Sequence, residues 1–335
     1  MHSVRLKRLG GCLTRKKGAE HDKMTKYKII VNPVAGRGAG EEAIPRIRQQ
    51  LEAHDLDYDI VLTERPWHAT ELAEEAARGG FDVVVAVGGD GTANEVLNGL
   101  MQARQSGAGN PAMGILCVGR GNDFAYGAGV PHDLSAGCRA LAKLQKRTID
   151  VGRVFGGLYP EGRYFGNGVG IGFDAVVGFE AAKMKHLRGF LSYLVAALRT
   201  IFLYFHAPLV QIEYGEQTHE KRALLVSVMN GRRLGGGFMM APKAQIDDGL
   251  FDLCIASDVS RPRIFALIPR FMKGTQASQP EITTDRTPHL IVSAVEGVLP
   301  AHSDGETLCT QGESLEMELL PGQIEIVCGS QEHER

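Results

Sequence analysis

Paired cysteines are missing from this sequence. Its six, Cys12, Cys117, Cys138, Cys254, Cys309 and Cys328, are scattered with no C-x-x-C spacing. That pattern argues against a disulfide scaffold or a zinc centre and for free thiols in a reducing cytosol. An excess of either charge is also missing. The formal net charge is −2, which leaves no electrostatic footprint for bulk nucleic-acid binding. There is no internal repeat, no low-complexity tract and no apolar N-terminal stretch of the secretory kind. The most lipid-like stretch, Gly189 to Phe205, is interrupted by Arg199 and is too short to span a bilayer.

Glycine is plentiful. The chain has 42 glycines in 335 residues without a G-X-Y period, so they serve turns and close ligand contacts. At roughly 150 residues per domain this length predicts two domains. Arg5, Lys7, Arg8, Arg15, Lys16 and Lys17 make the N-terminus basic. Residues 1–24 read as a disordered arm or as a segment drawn to an anionic membrane surface, and Met24 stands as an alternative start.

The chain turns on Asp82 to Thr92, DVVVAVGGDGT. Asp82 to Val87 has the composition of a strand buried on both faces. Gly88-Gly89-Asp90-Gly91-Thr92 follows, and then Val96, Leu97 and Leu100 at helical spacing. A strand that ends in glycines and feeds a helix exposes unpaired N–H groups, a seat for phosphate. Asp90 puts a carboxylate where magnesium would sit beside that phosphate. Two plainer readings stand beside this one: Thr92 and Glu95 fit a T-x-x-E capping box, and Gly-Gly-Asp-Gly fits an ordinary turn.

In chain order, Tyr27–Val31 predicts the first strand, leading into Asn32-Pro33 and Gly36, Gly38 and Gly40. The third glycine of a dinucleotide fingerprint would fall on Glu41, and no Walker Gly-Lys-Ser/Thr is present. A helix to about His54, a strand Asp57–Thr63, a helix His68–Arg78, the central strand and its helix, and a strand Met113–Val118 complete an alternating pattern. Such alternation means a parallel sheet with right-handed crossovers. Three strand ends carry glycine with Asn or Asp: Asn32-Pro33 with Gly36, Gly88–Thr92, and Gly119-Arg120-Gly121-Asn122-Asp123. Ligands of open α/β sheets bind at that edge. Beyond Ile149 short strands take over: Val151–Phe155, Tyr164–Ile171, Leu209–Tyr214, Ala223–Met229, Phe251–Ala256, Leu290–Val295, Leu315–Leu319 and Ile324–Val327. Turns at Tyr214-Gly215, Asp248-Gly249 and Pro321-Gly322 separate them, which predicts an antiparallel sandwich.

The ordered set Asn32-Pro33…Gly36, Gly88-Gly89-Asp90-Gly91-Thr92…Asn94-Glu95 and Gly119…Asn122-Asp123-Phe124 resembles the catalytic domain of diacylglycerol kinase-type lipid kinases. Gly235-Gly236-Gly237…Pro242…Asp247-Asp248-Gly249…Asp252 and Asp304-Gly305-Glu306 are similar to the second domain of that family, in its soluble bacterial branch related to sphingosine and ceramide kinases. The resemblance covers about Lys26 to Val327. GGDGT alone also occurs in NAD kinases. The resemblance implies a Rossmann-like nucleotide domain at residues 25–148, a β-sandwich lipid-substrate domain at 149–330, and an active site in the cleft between them. It places Asn32, Gly36, Thr63, Gly88–Thr92, Asn94, Glu95, Arg120, Asn122 and Asp123 around ATP. Asp247, the Leu250 carbonyl and Asp252 would be ligands of a magnesium ion that braces the second domain against the Asp90–Asp123 side. Glu306 would be the proton acceptor.

That chemistry is coherent, because phosphoryl transfer needs positioning, charge neutralisation and a base. On an extended segment His302, Asp304 and Glu306 would share a face, and Asp304 would raise the pKa of one of the two carboxyls. The plain alternative makes Asp304-Gly305 a hairpin turn and Glu306 a solvated carboxylate. Likewise Asp247, Asp248 and Asp252 fit a turn with a solvated edge as well as an oxygen-ligand cation. Arg120 replaces the family's usual small hydroxyl residue and reads as a phosphate contact or a surface residue. The helix Leu187–Phe205 packs in the second domain, lines an acyl tunnel or lies on the bilayer. Trp67, the only tryptophan, packs or sits at the rim of the nucleotide site.

The expectation is therefore a cytoplasmic, peripherally membrane-associated kinase using ATP and Mg²⁺ on a lipid hydroxyl. Asp90, Asp304 and Glu306 are its catalytic residues, it has no nucleic-acid partner, and a homodimer is possible. The rivals are a kinase for a soluble hydroxyl compound such as NAD and a lipid- or nucleotide-binding regulator without turnover.

Overall fold

The computed structural model describes residues 24–119, 121–183, 190–203 and 207–329. The first unit contains β1 (Lys26–Val31), α1 (Ala39–Glu52), β2 (Asp57–Leu62), α2 (His68–Arg78), β3 (Val83–Gly88), α3 (Asp90–Gln105), β4 (Ala112–Cys117), α4 (Asp123–Gly127) and α5 (Leu134–Lys143). Its four strands are parallel in the order β2-β1-β3-β4. β3 and β4 are buried at every position, which is why they read as unbroken apolar runs. Helices α2 and α3 cover one face around Leu72, Val84, Leu97 and Met113. The opposite face packs α1 and α5 around Ile47, Val85, Leu116 and Leu141.

The second unit runs β5 (Lys146–Gly156), β6 (Tyr159–Phe165), β7 (Gly168–Gly172), α6 (Phe173–Lys183), α7 (Phe190–Leu203), β8 (Leu209–Tyr214), β9 (Gln217–Met229), β10 (Phe251–Ser257), α8 (Arg261–Lys273), β11 (Ile282–Thr287), β12 (His289–Glu296), β13 (Leu299–Ser303), β14 (Glu306–Gly312) and β15 (Ser314–Val327). The long β9 serves both layers of a β-sandwich. Its first half pairs with β8, and its second half pairs with β7 and β10. Val154, Phe165, Ile212, Val228, Phe251 and Met317 fill the space between the layers, with the Phe165 and Phe251 rings stacked at 5.5 Å. β15 runs antiparallel to β5, and its Ile326 lies beside Met113 of β4 in parallel pairing. One hydrogen-bonded sheet thus passes from the first unit into the second, and residues 148 and 149 fall within β5.

Three expectations are revised by the structure. The predicted strand Tyr164–Ile171 is two strands, β6 and β7. Between them the N–H groups of Gly166, Asn167 and Gly168 donate to the Asp304 carboxylate instead of to a neighbouring strand. Leu315–Leu319 and Ile324–Val327 are one strand, β15, with a bulge between Leu320 and Ile324, where the Gly322 N–H donates to Asp150. His302 to Glu306 is not extended: Asp304 and Gly305, with φ of 48° and 85°, form the turn between β13 and β14.

The predicted helix Leu187–Phe205 is observed as α7, with Ala196, Ala197, Thr200 and Ile201 buried. Residues 187–189 and 204–205 lie outside the described residues, as does the basic arm at 1–23. Among the described residues no helix is long and apolar enough to cross a membrane.

Asp150, 3% exposed, accepts the N–H groups of Gly249 and Gly322, each at 2.7 Å. It thereby ties two turns of the second unit to β5. Asp150→Ala leaves both N–H groups unsatisfied and is expected to cost about 3 kcal/mol in urea unfolding; a loss below about 1 kcal/mol would show that the two turns hold without it.

Candidate active site

The ends of β1, β3 and β4 converge closely. Asn32 Nδ2 donates to Thr92 Oγ1 at 3.0 Å. Gly36, at φ 59°, lies where a Cβ would stand 2.3 Å from the Val118 carbonyl oxygen, and a Cβ on Gly119 would stand 2.2 Å from Gly89 Cα. Backbone meets backbone at both places, and only glycine fits. Thr63 lies just past the end of β2, its N–H donating to the Val31 carbonyl at 2.9 Å. The first turn of α3 follows Gly89, which provides no side-chain cap, so its N–H groups face the cleft. The T-x-x-E capping box does not form. Thr92 is engaged by Asn32, and Glu95 Oε2 accepts the Ala69 N–H at 3.1 Å, which caps α2.

Four of the predicted carboxylates meet here. A Cβ on Gly121 would lie 2.8 Å from Asp90 Oδ2 and 3.4 Å from Asp123 Oδ2, so both oxygens sit over one glycine. Asp90 Oδ1 accepts the Phe124 N–H at 3.1 Å. Asp123 accepts the Gly236 N–H and, at 2.8 Å, Arg233 Nε. The Arg233 guanidinium also stacks on Tyr126 at 3.9 Å. Burial, and then the Asp90 charge, push Asp123 up to about 7. Asp90 is raised by burial and by Asp304, although its side chain keeps an opening to the cleft. Glu306, exposed at the start of β14, faces the start of α3: a Cβ on Gly91 would lie 2.8 Å from its Oε1.

Asp304 is placed differently from expectation. It does not share a face with Glu306 but turns inward, 3% exposed. There it accepts the N–H groups of Gly166, Asn167 and Gly168 and, at 2.9 Å, Asn94 Nδ2. Asn122 begins α4 at φ 52° and donates to the Gly119 carbonyl. Arg120 lies outside the described residues.

Two arginines were not foreseen from the sequence. Arg233 is described above. Arg163, 2% exposed, packs over Trp67 at 4.3 Å and donates to Asn94 Oδ1. The available signal was one charged residue in the apolar stretch Tyr164–Ile171 and its flank, which no motif singles out.

The two predicted cation sites fare differently. At Asp90 and Asp123, two carboxylate oxygens over a glycine suit a magnesium ion completed by phosphate oxygens and water. At the second, Asp247 pairs with Arg147 at 2.5 Å, Asp248 pairs with Arg286, and Asp252 lies 3.6 Å from Arg286 Nε. Guanidinium groups thus pair with Asp247 and Asp248, while the buried Asp252 Oδ2 has no hydrogen-bond partner; that orphaned oxygen, beside the Leu250 carbonyl, is the part of the expected set that fits a cation. Among the described residues no three metal-ligating side chains gather at one point.

Beside the carboxylates a cavity of about 500 Å³ enters the second unit. Its lining passes from Asp90, Asp123 and Asp304 to Phe173, Val177, Leu225, Phe238, Leu267 and Phe271. Ala197 of α7 also borders it, so α7 both packs and lines. An acidic mouth on an apolar chamber suits a molecule with a polar head and a hydrocarbon body.

The model of the diacylglycerol kinase catalytic domain matches residues 26–154, and that of the YegS C-terminal NAD kinase beta sandwich-like domain matches residues 167–328. The chain is 31% identical to the "Probable lipid kinase YegS-like" of Pseudomonas aeruginosa, over 90% of this chain and 95% of that protein. It belongs to the diacylglycerol kinase-type lipid kinase family. A Bacillus subtilis diacylglycerol kinase shares 28% identity over 84% of this chain and 90% of its own length. The crystal structure of a proposed diacylglycerol kinase from Bacillus anthracis superposes with a TM-score of 0.73 at 27% identity, covering 92% of this chain and 98% of that one. An NAD kinase from Archaeoglobus fulgidus, at 13% identity and a TM-score of 0.50, shares the fold. The lipid kinase family is one of kinases, which implies ATP as phosphoryl donor.

In the cavity wall, Asp174 accepts the Ser227 hydroxyl at 2.7 Å, and burial pushes its carboxyl up to about 7. The folded chain therefore binds this proton more tightly than the unfolded chain, and the stability it contributes below pH 4 is lost as pH rises through 7. Asp174→Asn removes that loss. In urea unfolding the variant should gain on the wild type by on the order of 1–3 kcal/mol between pH 5 and pH 8; an equal difference at both pH values would show that Asp174 does not titrate in this range.

Proposed function

We propose that the chain is an ATP- and Mg²⁺-dependent kinase that phosphorylates a hydroxyl of a lipid presented at a membrane surface. The observation that carries this reading is the position of Glu306, exposed across from Gly91, the residue after Asp90, with its chain neighbours Gly305 and Thr307 lining the apolar cavity. The cavity takes hydrocarbon and the mouth takes the polar end, so the reacting hydroxyl falls between Glu306 and the phosphate seat. The N–H groups opening α3, with the loops at Asn32 and Gly119, cradle the phosphates. Glu306 accepts the hydroxyl proton as the hydroxyl oxygen bonds to the γ-phosphorus, and the bond to the β–γ bridging oxygen breaks to release ADP. Asp90 and Asp123 are the residues that would hold magnesium. The ion, when bound, supplies the charge neutralisation that two carboxylates beside a triphosphate require.

The test is transfer from radiolabelled ATP into mixed lipid vesicles, followed by identification of the labelled lipid. Glu306→Gln should lower kcat by about 10²–10⁴-fold with KM for ATP nearly unchanged. Transfer that is independent of vesicles would favour a soluble hydroxyl substrate. Equal, negligible transfer by wild type and Glu306→Gln across a broad lipid panel would make the chain a binding regulator.

A further inference from the structure

We propose that Arg163 is a positioning residue for this phosphoryl transfer, acting on Glu306 through Asn94 and Asp304; the proposal rests on the reading of Glu306 as proton acceptor. Arg163 sits on β6 and is 2% exposed. A buried guanidinium is retained only where its donors are met, and here the groups it hydrogen-bonds are neutral. Nη2 and Nε donate to Asn94 Oδ1 at 2.7 and 3.2 Å, and Nη1 donates to the Tyr159 hydroxyl at 2.9 Å. The rings of Trp67 and Tyr159 lie 4.3 and 4.9 Å from the guanidinium carbon. Nothing in this arrangement serves as a carboxylate clamp. Its geometric effect falls on one amide.

Arg163 Nη2 and Nε, together with Asn98 Nδ2 at 3.1 Å, converge on Oδ1 and fix which way the Asn94 amide points. Its nitrogen then faces the Tyr164 carbonyl at 3.0 Å and Asp304 Oδ2 at 2.9 Å. The reversed amide would set NH₂ against a guanidinium, which accepts nothing, and oxygen against a carboxylate. Both contacts would be repulsive. With the amide fixed, Asp304 collects a side-chain donor from α3 and three backbone donors from the β6–β7 junction. Asp304 is itself the first residue of the left-handed pair, φ 48° and 85°, that turns β13 into β14. Glu306 follows as the first residue of β14. The contacts Trp67–Arg163–Asn94–Asp304 thus run unbroken from the start of α2 to the turn that aims Glu306 at Gly91.

The experiment uses the full chain in the vesicle assay, with Arg163→Met, Arg163→Lys, Asn94→Ala, the Arg163→Met/Asn94→Ala double variant and Glu306→Gln in parallel. Thermal unfolding and the emission of Trp67, the only tryptophan, are recorded on each. Loosening a reacting group by about 1 Å costs about 10²-fold. Arg163→Met and Asn94→Ala are each expected to lower kcat by that factor, with KM for ATP and lipid unchanged. The double variant should lose no more than either single one, because both act through one amide. Arg163→Lys keeps the charge and remains informative should the Met variant fail to fold. It is expected to lose about tenfold in kcat with an unchanged unfolding temperature, since an ammonium cannot reproduce the planar fork. Normal kcat in the Lys or Met variant beside an inactive Glu306→Gln overturns the relay and leaves the kinase reading standing. Losses that multiply in the double variant, or a rise in KM alone, overturn the relay as well. Wild-type turnover by Glu306→Gln removes the proton acceptor and, with it, what Arg163 was proposed to position.

Discussion

The site is built on the burial of one carboxylate. Asp304 is 3% exposed, and a charge so buried is tolerated only if its oxygens are met by donors. Three N–H groups come from consecutive residues, Gly166 to Gly168, and the fourth donor is the Asn94 amide. Meeting that need breaks what would be one strand into β6 and β7, ties α3 of the first unit to the sandwich, and holds the β13–β14 turn against both. The residues proposed to do chemistry are arranged around this knot without being part of it. Glu306 lies two residues along the chain, and Asp90 lies one turn before Asn94 on α3.

The cleft gathers more negative charge than it can hold unaided. Asp90, Asp123, Asp304, Glu95 and Glu306 face a small volume, and burial raises the first four above their ordinary values. Two arginines share the task of neutralising them: Arg233 pairs directly with Asp123, and Arg163 acts at the back of the site. Arg233 takes Asp123 Oδ1 and the Gly121 carbonyl, while Asp90 Oδ2 and Asp123 Oδ2 stand together over Gly121. A cation arriving with a polyphosphate therefore has a place where its charge is wanted, while phosphate alone would meet carboxylates. At the second predicted cation position Arg147 and Arg286 pair with Asp247 and Asp248, and Asp252 Oδ2 is left without a hydrogen-bond partner.

What could be read from the sequence follows from how local each signal is. β3 and its glycines announce themselves because double-sided burial demands a continuous apolar run and close backbone approach demands glycine. Both demands fall on neighbouring residues. The order of the motifs supplied the family and the second unit's sandwich. Asp304 was misplaced because a Ser-Asp-Gly-Glu stretch is compatible with extended chain and with a turn, and the choice is made by N–H groups about 136 to 138 positions away. Arg163 and Arg233 escaped notice for the same reason: each is ordinary locally and acquires meaning from Asn94 or Asp123 on the other unit. Glu95 shows the reverse error. Its spacing from Thr92 fits a cap for its own helix, yet it caps α2.

Sheet continuity sets the limits within which the cleft works. β15 pairs with β5 along most of its length and ends beside β4, so a swing of one unit about residues 148–149 would have to part a ladder on both sides of that point. A hydrogen-bonded ladder yields far less readily than a linker, and this constrains the distance between Gly91 and Glu306 more tightly than a two-domain description of the chain implies. One part of the cleft wall is not held by this sheet. The segment carrying Arg233 and Gly236 lies outside the strands and helices and reaches Asp123 through side-chain and N–H contacts alone. The positions proposed for proton acceptor and phosphate are thus tied by sheet, while Asp123 is met by a loop. That division suits the proposed phosphoryl transfer, which needs two reacting groups kept in register while substrates enter and leave.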